Sequence, residues 1–191
     1  PSPPKQSKAG SVIPEPMFIP GESVYSELFT ANFFEETNSF VSAADATSAI
    51  NGVYDRLKGV YGMTMINLAD LNGDECEVRA DNGPGNEIHK NLFNSGTGIF
   101  NEFYTNSYIL TDRANRVIIN VPKITMDTKL RDQIVGEAKF IRALAYFNLV
   151  RAFGDVPLVT SVSNDVINVQ IPRDPADKVY QQIILDLQDA E

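Results

Sequence analysis

Hydrophobic positions repeat with a helical period in four stretches of the chain. From about Ala43 to Tyr61, the residues Ala46, Ala49, Ile50, Val53, Tyr54, Leu57 and Tyr61 form one apolar stripe. Ser42 stands three residues before Asp45, the spacing of a capping box with Asp in place of the usual Glu. Gly62 supplies a stop. A second stretch runs from about Ile99 to Val121. Ile99, Phe103, Leu110, Ala114, Val117, Ile118 and Val121 share an arc; Glu102, Thr105, Asp112 and Arg116 lie opposite, and Pro122 terminates it. The third stretch, about Asp127 to Phe153, is apolar round most of its circumference. On a helical wheel its narrow solvent stripe is Lys139, Arg142 and Tyr146. Glu137, Asn148 and Arg151 fall inside the apolar arc, where burial demands partners from other helices. Ala138, Ala145 and Ala152 recur every seven residues and would admit a close neighbour. The fourth stretch follows Asp174-Pro175, which reads as an N-cap with Pro at the first helical position. There Val179, Tyr180, Ile183, Ile184 and Leu187 keep the i, i+3, i+4 rule, and no stop residue follows them. That ending predicts the N-terminal portion of a longer domain.

The intervening stretches differ in kind. Residues 62–98 are dense in Asn, Asp and Gly and read as one long loop, a length usually reserved for function. Residues 1–22 hold six of the eleven prolines and read as an extended lead-in or linker. Residues 23–36 carry aromatics without a clean period and suit a short helix. Val156 to Val159 suits a short extended piece. No strand–helix alternation, Gly-rich phosphate loop or HExxH motif occurs. The fold class expected is all-α: antiparallel helices stacked in pairs, broken by one long Asn/Asp/Gly-rich loop.

Composition narrows the function. A net charge of -9 without a basic stripe argues against nucleic acid. One cysteine, Cys76, excludes an internal disulfide, and one histidine, His89, leaves no zinc set and no Cys-His nucleophile with an orienting group. No apolar run reaches the ~18 residues of a membrane span. The chain opens Pro1-Ser2-Pro3-Pro4 without Met, as a mature or trimmed form would. Asp70-x-Asn72-x-Asp74, with Asp81 at the twelfth position, has a calcium-loop spacing. It lacks the Gly at position six, where Glu75 stands, and the bidentate Glu at twelve. No metal or cofactor is therefore expected. Asp70, Asp74, Glu75 and Asp81 lie in one loop, with no scaffold to hold two carboxylates at a glycosidase separation, so no catalytic residue is assigned.

The third helix and its exit carry a longer signal. Gly136-Glu137-Ala138-Lys139-Phe140-Ile141-Arg142-Ala143-Leu144-Ala145-Tyr146-Phe147-Asn148-Leu149-Val150-Arg151-Ala152-Phe153-Gly154-Asp155-Val156-Pro157-Leu158-Val159 closely resembles the hallmark segment of the SusD/RagB family. Ala49-Ile50-Asn51-Gly52-Val53-Tyr54 looks like that family's first helix. Phe100 to Ile118 looks like its second, with Phe100 nearest to where a Trp is common. Pro172-Arg173 through Leu187 looks like the approach to the next helix.

The resemblance spans about Ser39 to Glu191 and implies tetratricopeptide-like helix pairs. The domain division that follows is 1–22 as lead-in and 23–191 as the N-terminal helical part of a SusD-like domain. It also implies an outer-membrane, surface-exposed lipoprotein, anchored through an N-terminal lipid on a Cys that this chain lacks. Such a protein binds glycan without cleaving it and delivers it to a SusC-like TonB-dependent transporter. A helical-repeat module for peptide or protein partners is the competing reading. Glycan sites pair an aromatic platform with polar side chains. With no Trp in the chain, the 62–98 stretch offers Asp74, Glu75, Arg79, Asp81, Asn82, Asn91 and Phe93, with His89 nearby.

Overall fold

Local capping decides where the helices begin. The computed structural model describes residues 40–71, 73, 77–79, 82–94, 97–162 and 171–191. The expectations for 1–22 and 23–36 lie outside the described residues. Helix α1, Ala43–Tyr61, starts at Ser42, whose side chain accepts from Asp45 N while Asp45 accepts from the Ser42 backbone. The Ser42 hydroxyl donating to the Asp45 carboxylate at 2.8 Å, and then the backbone N–H groups of Ser42 and Val41, hold that carboxyl below its ordinary pKa. At Gly62 the helix stops because the chain folds back on Lys58 O: a Cβ there would lie 2.7 Å from that oxygen. A new helix, α2, begins at once over Met63–Asp70.

A further short helix, α3, covers Gly83–His89. The 62–98 stretch is therefore not one continuous loop. Its turn residues serve as caps, and the apolar residues between them are enough for two short helices.

Helix α4 runs Gly98–Asn120 and passes into a 3-10 turn, Val121–Lys123, where Pro122 ends the α-helical bonding. Helix α5, Thr128–Phe153, is capped by the Asp127 carboxylate on Leu130 N at 2.9 Å. Helix α6 covers Ala176–Ala190. Asp174 does not cap it. Asp155 does so from far upstream, its Oδ1 accepting from Ala176 N at 2.9 Å. Asp174 instead bonds Lys178 and Leu158 N, and these bonds, that of Lys178 first, hold its carboxyl below the ordinary range.

Helices α1, α4, α5 and α6 pack as an antiparallel array, and α1 also touches α5. Two apolar clusters result. One joins α1, α4 and α5 through Ile50, Val53, Phe103, Leu110, Val117 and Ile141. The other joins α4, α5, α6 and the exit segment through Tyr104, Tyr146, Leu149, Val156, Val179 and Ile183. Tyr104 stands edge-on to Phe153 at 5.3 Å, which links the two clusters.

The solvent stripe expected on α5 faces inward. Arg142 and Tyr146 are not solvent-facing: they are 5% and 0% exposed. The face that reads as the polar stripe is the seat of α6, which brings Asp186 to meet Arg142. Lys139 stays at the rim and pairs with Asp189. The outward side instead carries Phe140, Phe147, Arg151 and Ala152. Of the polar residues expected inside the apolar arc, Asn148 is buried and bonds the Tyr61 hydroxyl at 2.5 Å. Glu137 is half-buried, and Arg151 is exposed over the Phe147 ring. In α6 only Val179 and Ile183 of the periodic apolar residues are buried; Tyr180, Ile184 and Leu187 face outward.

Candidate functional site

The exit segment after α5 is held by side chains distant in sequence. Gly154 takes a left-handed φ of 70°, which lets the chain leave the helix. The polar backbone groups that follow meet long-range partners. Val156 O accepts from Asp174 N, and Pro157 O from the Tyr108 hydroxyl at 2.7 Å. Leu158 N donates to Asp174. Val159 N donates to the Tyr146 hydroxyl, which in turn donates to Val159 O; that oxygen also accepts from Asn115 Nδ2. Burial raises the Tyr146 pKa above its ordinary value, which keeps the hydroxyl a donor.

Asn115 belongs to a second set of bonds. Its Oδ1 accepts from Arg142 Nη1 at 2.8 Å, and Arg142 grips Asp186 through Nε at 2.7 Å and Nη2 at 2.6 Å. Gln182 completes the Asp186 carboxylate. The hallmark residues are thus a scaffold: a bidentate, fully partnered ion pair fastens α6 to α5 and, through Asn115, fixes the exit segment.

The 77–97 region is built differently. Asn82, a candidate binding residue, caps α3: its Oδ1 accepts from Gly85 N at 3.0 Å. A Cβ on Gly85 would strike that side chain at 2.5 Å, so the cap needs glycine there. Asn91, another candidate, sits past the other end of α3 with φ 54°. Asn91 N bonds Ile88 O and Leu92 N bonds Glu87 O, a Schellman motif with Asn at the left-handed position. Phe93 is half-buried against Phe100, ring centroids 5.2 Å apart. Arg79 is exposed, and its carbonyl accepts from Asn82 N and Asn86 Nδ2. His89 Nδ1 lies 3.1 Å from Leu71 O and ties α3 to the end of α2. Asp74, Glu75 and Asp81 lie outside the described residues, as does Asn72 of the calcium-like spacing.

Residues that pattern reading does not single out also matter. Thr97 is buried, accepts from Asn94 N and donates to Glu87 at 2.6 Å, closing the region onto the start of α4. Thr64 donates to Glu102 at 3.2 Å and closes α2 onto α4. The spacing Asn94-x-x-Thr97 before an apolar run is the one sequence signal for the first closure. Among the described residues of this region Arg79, Lys90, Asn91, Leu92 and Asn94 are exposed and Phe93 is half-buried. It offers donors, amides and one partly accessible ring, which suits hydrogen bonding and stacking rather than proton transfer.

Residues 32–191 match the family model described as starch-binding associating with outer membrane, SusD-like. The chain belongs to the SusD-like family. It is 31% identical over 157 residues to the SusD-like protein P2 of Formosa agariphila, covering 80% of this chain and 31% of that protein. A SusD superfamily protein from Parabacteroides distasonis superposes with a TM-score of 0.70 at 25% identity, covering 77% of this chain and 33% of that one. A laminarin-binding SusD-like protein superposes with a TM-score of 0.66 at 24% identity, covering 79% and 34%. The chain spans about a third of the length of the curated relatives it matches. The SusD-like fold of tetratricopeptide-like helix pairs is thus the one observed, and the strapped exit segment is its hallmark stretch in physical form. Among the described residues no helix is long and apolar enough to cross a membrane.

Proposed function

We propose that this chain is part of a surface-exposed outer-membrane lipoprotein that binds glycan, does not cleave it, and passes it to a SusC-like TonB-dependent transporter. The observation that carries the reading is the family match over 32–191, whose description names both starch binding and outer-membrane association. A laminarin-binding protein among the structural neighbours supports carbohydrate as the ligand class.

Within the chain, the binding face is the surface around Arg79, Asn91 and Phe93, together with Asp74, Glu75 and Asp81. Asn82 serves it indirectly, by capping the helix that presents it. Native affinity electrophoresis of the full-length protein in starch and laminarin gels tests this. Retardation by at least one glycan, reduced by Arg79→Ala, is expected. Free migration in both gels, together with a blank glycan array, would overturn the reading. Co-purification of a TonB-dependent transporter with the tagged lipoprotein tests the handover.

A further inference from the structure

The seam between α1 and α4 holds two guanidiniums with no carboxylate of the described residues bonded to either. Arg56 Nη2 donates to Asn106 Oδ1 at 3.3 Å, and Arg113 Nη1 donates to Gly52 O at 3.1 Å. The neighbouring carboxylates hydrogen-bond other cations, Asp55 with Lys58 and Asp112 with Arg116, and reach Arg113 only through space. Both arginines are half-buried. Burial, and then the Arg56 charge, push the Arg113 pKa below its ordinary value. Among the described residues, the buried side-chain atoms without a hydrogen-bond partner are Arg56 Nε and Thr105 Oγ1, and both belong to helices of this seam. Gly59 on α1 lets Asn106 come close: a Cβ there would lie 3.1 Å from Asn106 Oδ1, whereas one at Gly52 would meet Arg113 Nη1 at an ordinary 3.9 Å.

Like charges gathered in a half-dry seam destabilise one another unless an anion joins them. A guanidinium pair matches the planar oxygens of a carboxylate or the oxygens of a sulfate. One end of the seam points toward the proposed binding face: Asn106 is one turn of α4 from Glu102, which bonds Thr64 of α2, and Arg113 lies about two turns further along α4 beside Gly52. We propose that Arg56 and Arg113, with Asn106, form an oxyanion site that takes the carboxylate or sulfate group of an acidic glycan. This rests on the glycan-binding reading above and narrows its substrate class.

The test is a titration of the full-length protein, with arginine side chains 15N-labelled, followed through the Nε–H resonances. The probes are sodium glucuronate, glucose 6-sulfate and neutral glucose, with polyglutamate as a protein-like competitor. The Arg56 and Arg113 signals are expected to move with glucuronate, with the sulfate ester or with both, and not with glucose. The two acidic arms identify which oxyanion is preferred. Arg56→Met and Arg113→Met should each weaken binding of the preferred acidic sugar by about tenfold or more, with circular dichroism confirming a folded chain. Arg56→Lys should recover part of the loss. Shifts with neither acidic sugar, or equal shifts with glucose, overturn the proposal. So does tighter binding of polyglutamate, which would assign the seam to an acidic protein. If Arg79→Ala abolishes neutral-glycan binding while Arg56→Met leaves acidic sugars unaffected, the oxyanion site falls and glycan binding stands. If no glycan binds at all, both fall together.

Discussion

Two connecting regions of this chain are held in opposite ways. The exit segment at 154–159 is fixed by side chains distant in sequence: Tyr108, Asn115, Tyr146 and Asp174, drawn from α4, α5 and the approach to α6. The 82–97 region is fixed mostly by itself. Asn82 caps the helix it precedes, Asn91 closes the helix it follows, and Thr97 reaches back only to Glu87. A segment held by distant partners cannot change without disturbing three helices. A segment held by its own caps can change its exposed side chains while the array beneath stays put. The difference explains how one scaffold carries a fixed hallmark segment beside an adjustable surface.

The sharpest way to break that comparison is to remove the acid under the scaffold. Asp186→Ala leaves Arg142 charged and without its carboxylate at a site where their side chains are 6% and 2% exposed. It should cost about 3–5 kcal/mol in chemical denaturation. Replacing both, Arg142→Met with Asp186→Leu, should recover most of that, because the paired charges cost desolvation of their own. A single-variant loss under about 1 kcal/mol, against the cost expected for an orphaned buried charge, would show that α6 does not depend on the pair.

The hydroxyl of Tyr146 comes next. Tyr146→Phe keeps the packing and strips both bonds to Val159, leaving a half-buried N–H unmet, at a cost of about 1–3 kcal/mol. Acid should weaken the same segment through Asp174. Its folded pKa lies below the ordinary 3.8, chiefly through the bond from Lys178 and then that from Leu158 N. Its contribution is therefore present above that ordinary value and lost as pH falls through the lower folded one. Asp174→Asn should melt below the parent at neutral pH, and the two melting curves should converge in acid. A gap that stays constant across that range would remove Asp174 from the acid response.

The contrast between these regions also explains what was legible in the sequence. Helix ends were legible where capping is local, since Ser42 with Asp45 and Pro122 act within a few residues; the start of α6 was not, because Asp155 caps it from 21 residues upstream in place of Asp174. The outward face of α5 was not. Arg142 and Tyr146 read as a polar stripe, yet the partner that buries Arg142 lies 44 residues later, and no periodicity within one helix encodes it. Helix α3 was hidden for the opposite reason. Gly83-Pro84-Gly85 after Asn82 carries turn residues, yet an Asn cap followed by Pro in the first turn starts a helix. Turn chemistry rightly marks Asn82 and Asn91 as special: the Asn82 side chain is spent on the cap, whereas Asn91 closes α3 through its backbone and keeps an exposed side chain. The Arg56–Arg113 seam had no sequence signal, since the two lie 57 positions apart on different helices.

The smallest expected effect is the one that separates the two regions most cleanly. Asn91 holds a left-handed φ of 54° that a residue with an ordinary side chain adopts at a cost of about 1–2 kcal/mol. Asn91→Ala should therefore loosen the end of α3, and Asn91→Gly should be neutral within a few tenths of a kcal/mol. Because the partners of the Schellman motif are Glu87 and Ile88 alone, the Ala variant should speed hydrogen exchange in peptides covering 83–94. The amides of 154–159 and α6 should be unchanged. Faster exchange that spread into the exit segment would mean that the two regions unfold together, and the independence that lets the surface vary over a fixed scaffold would be lost.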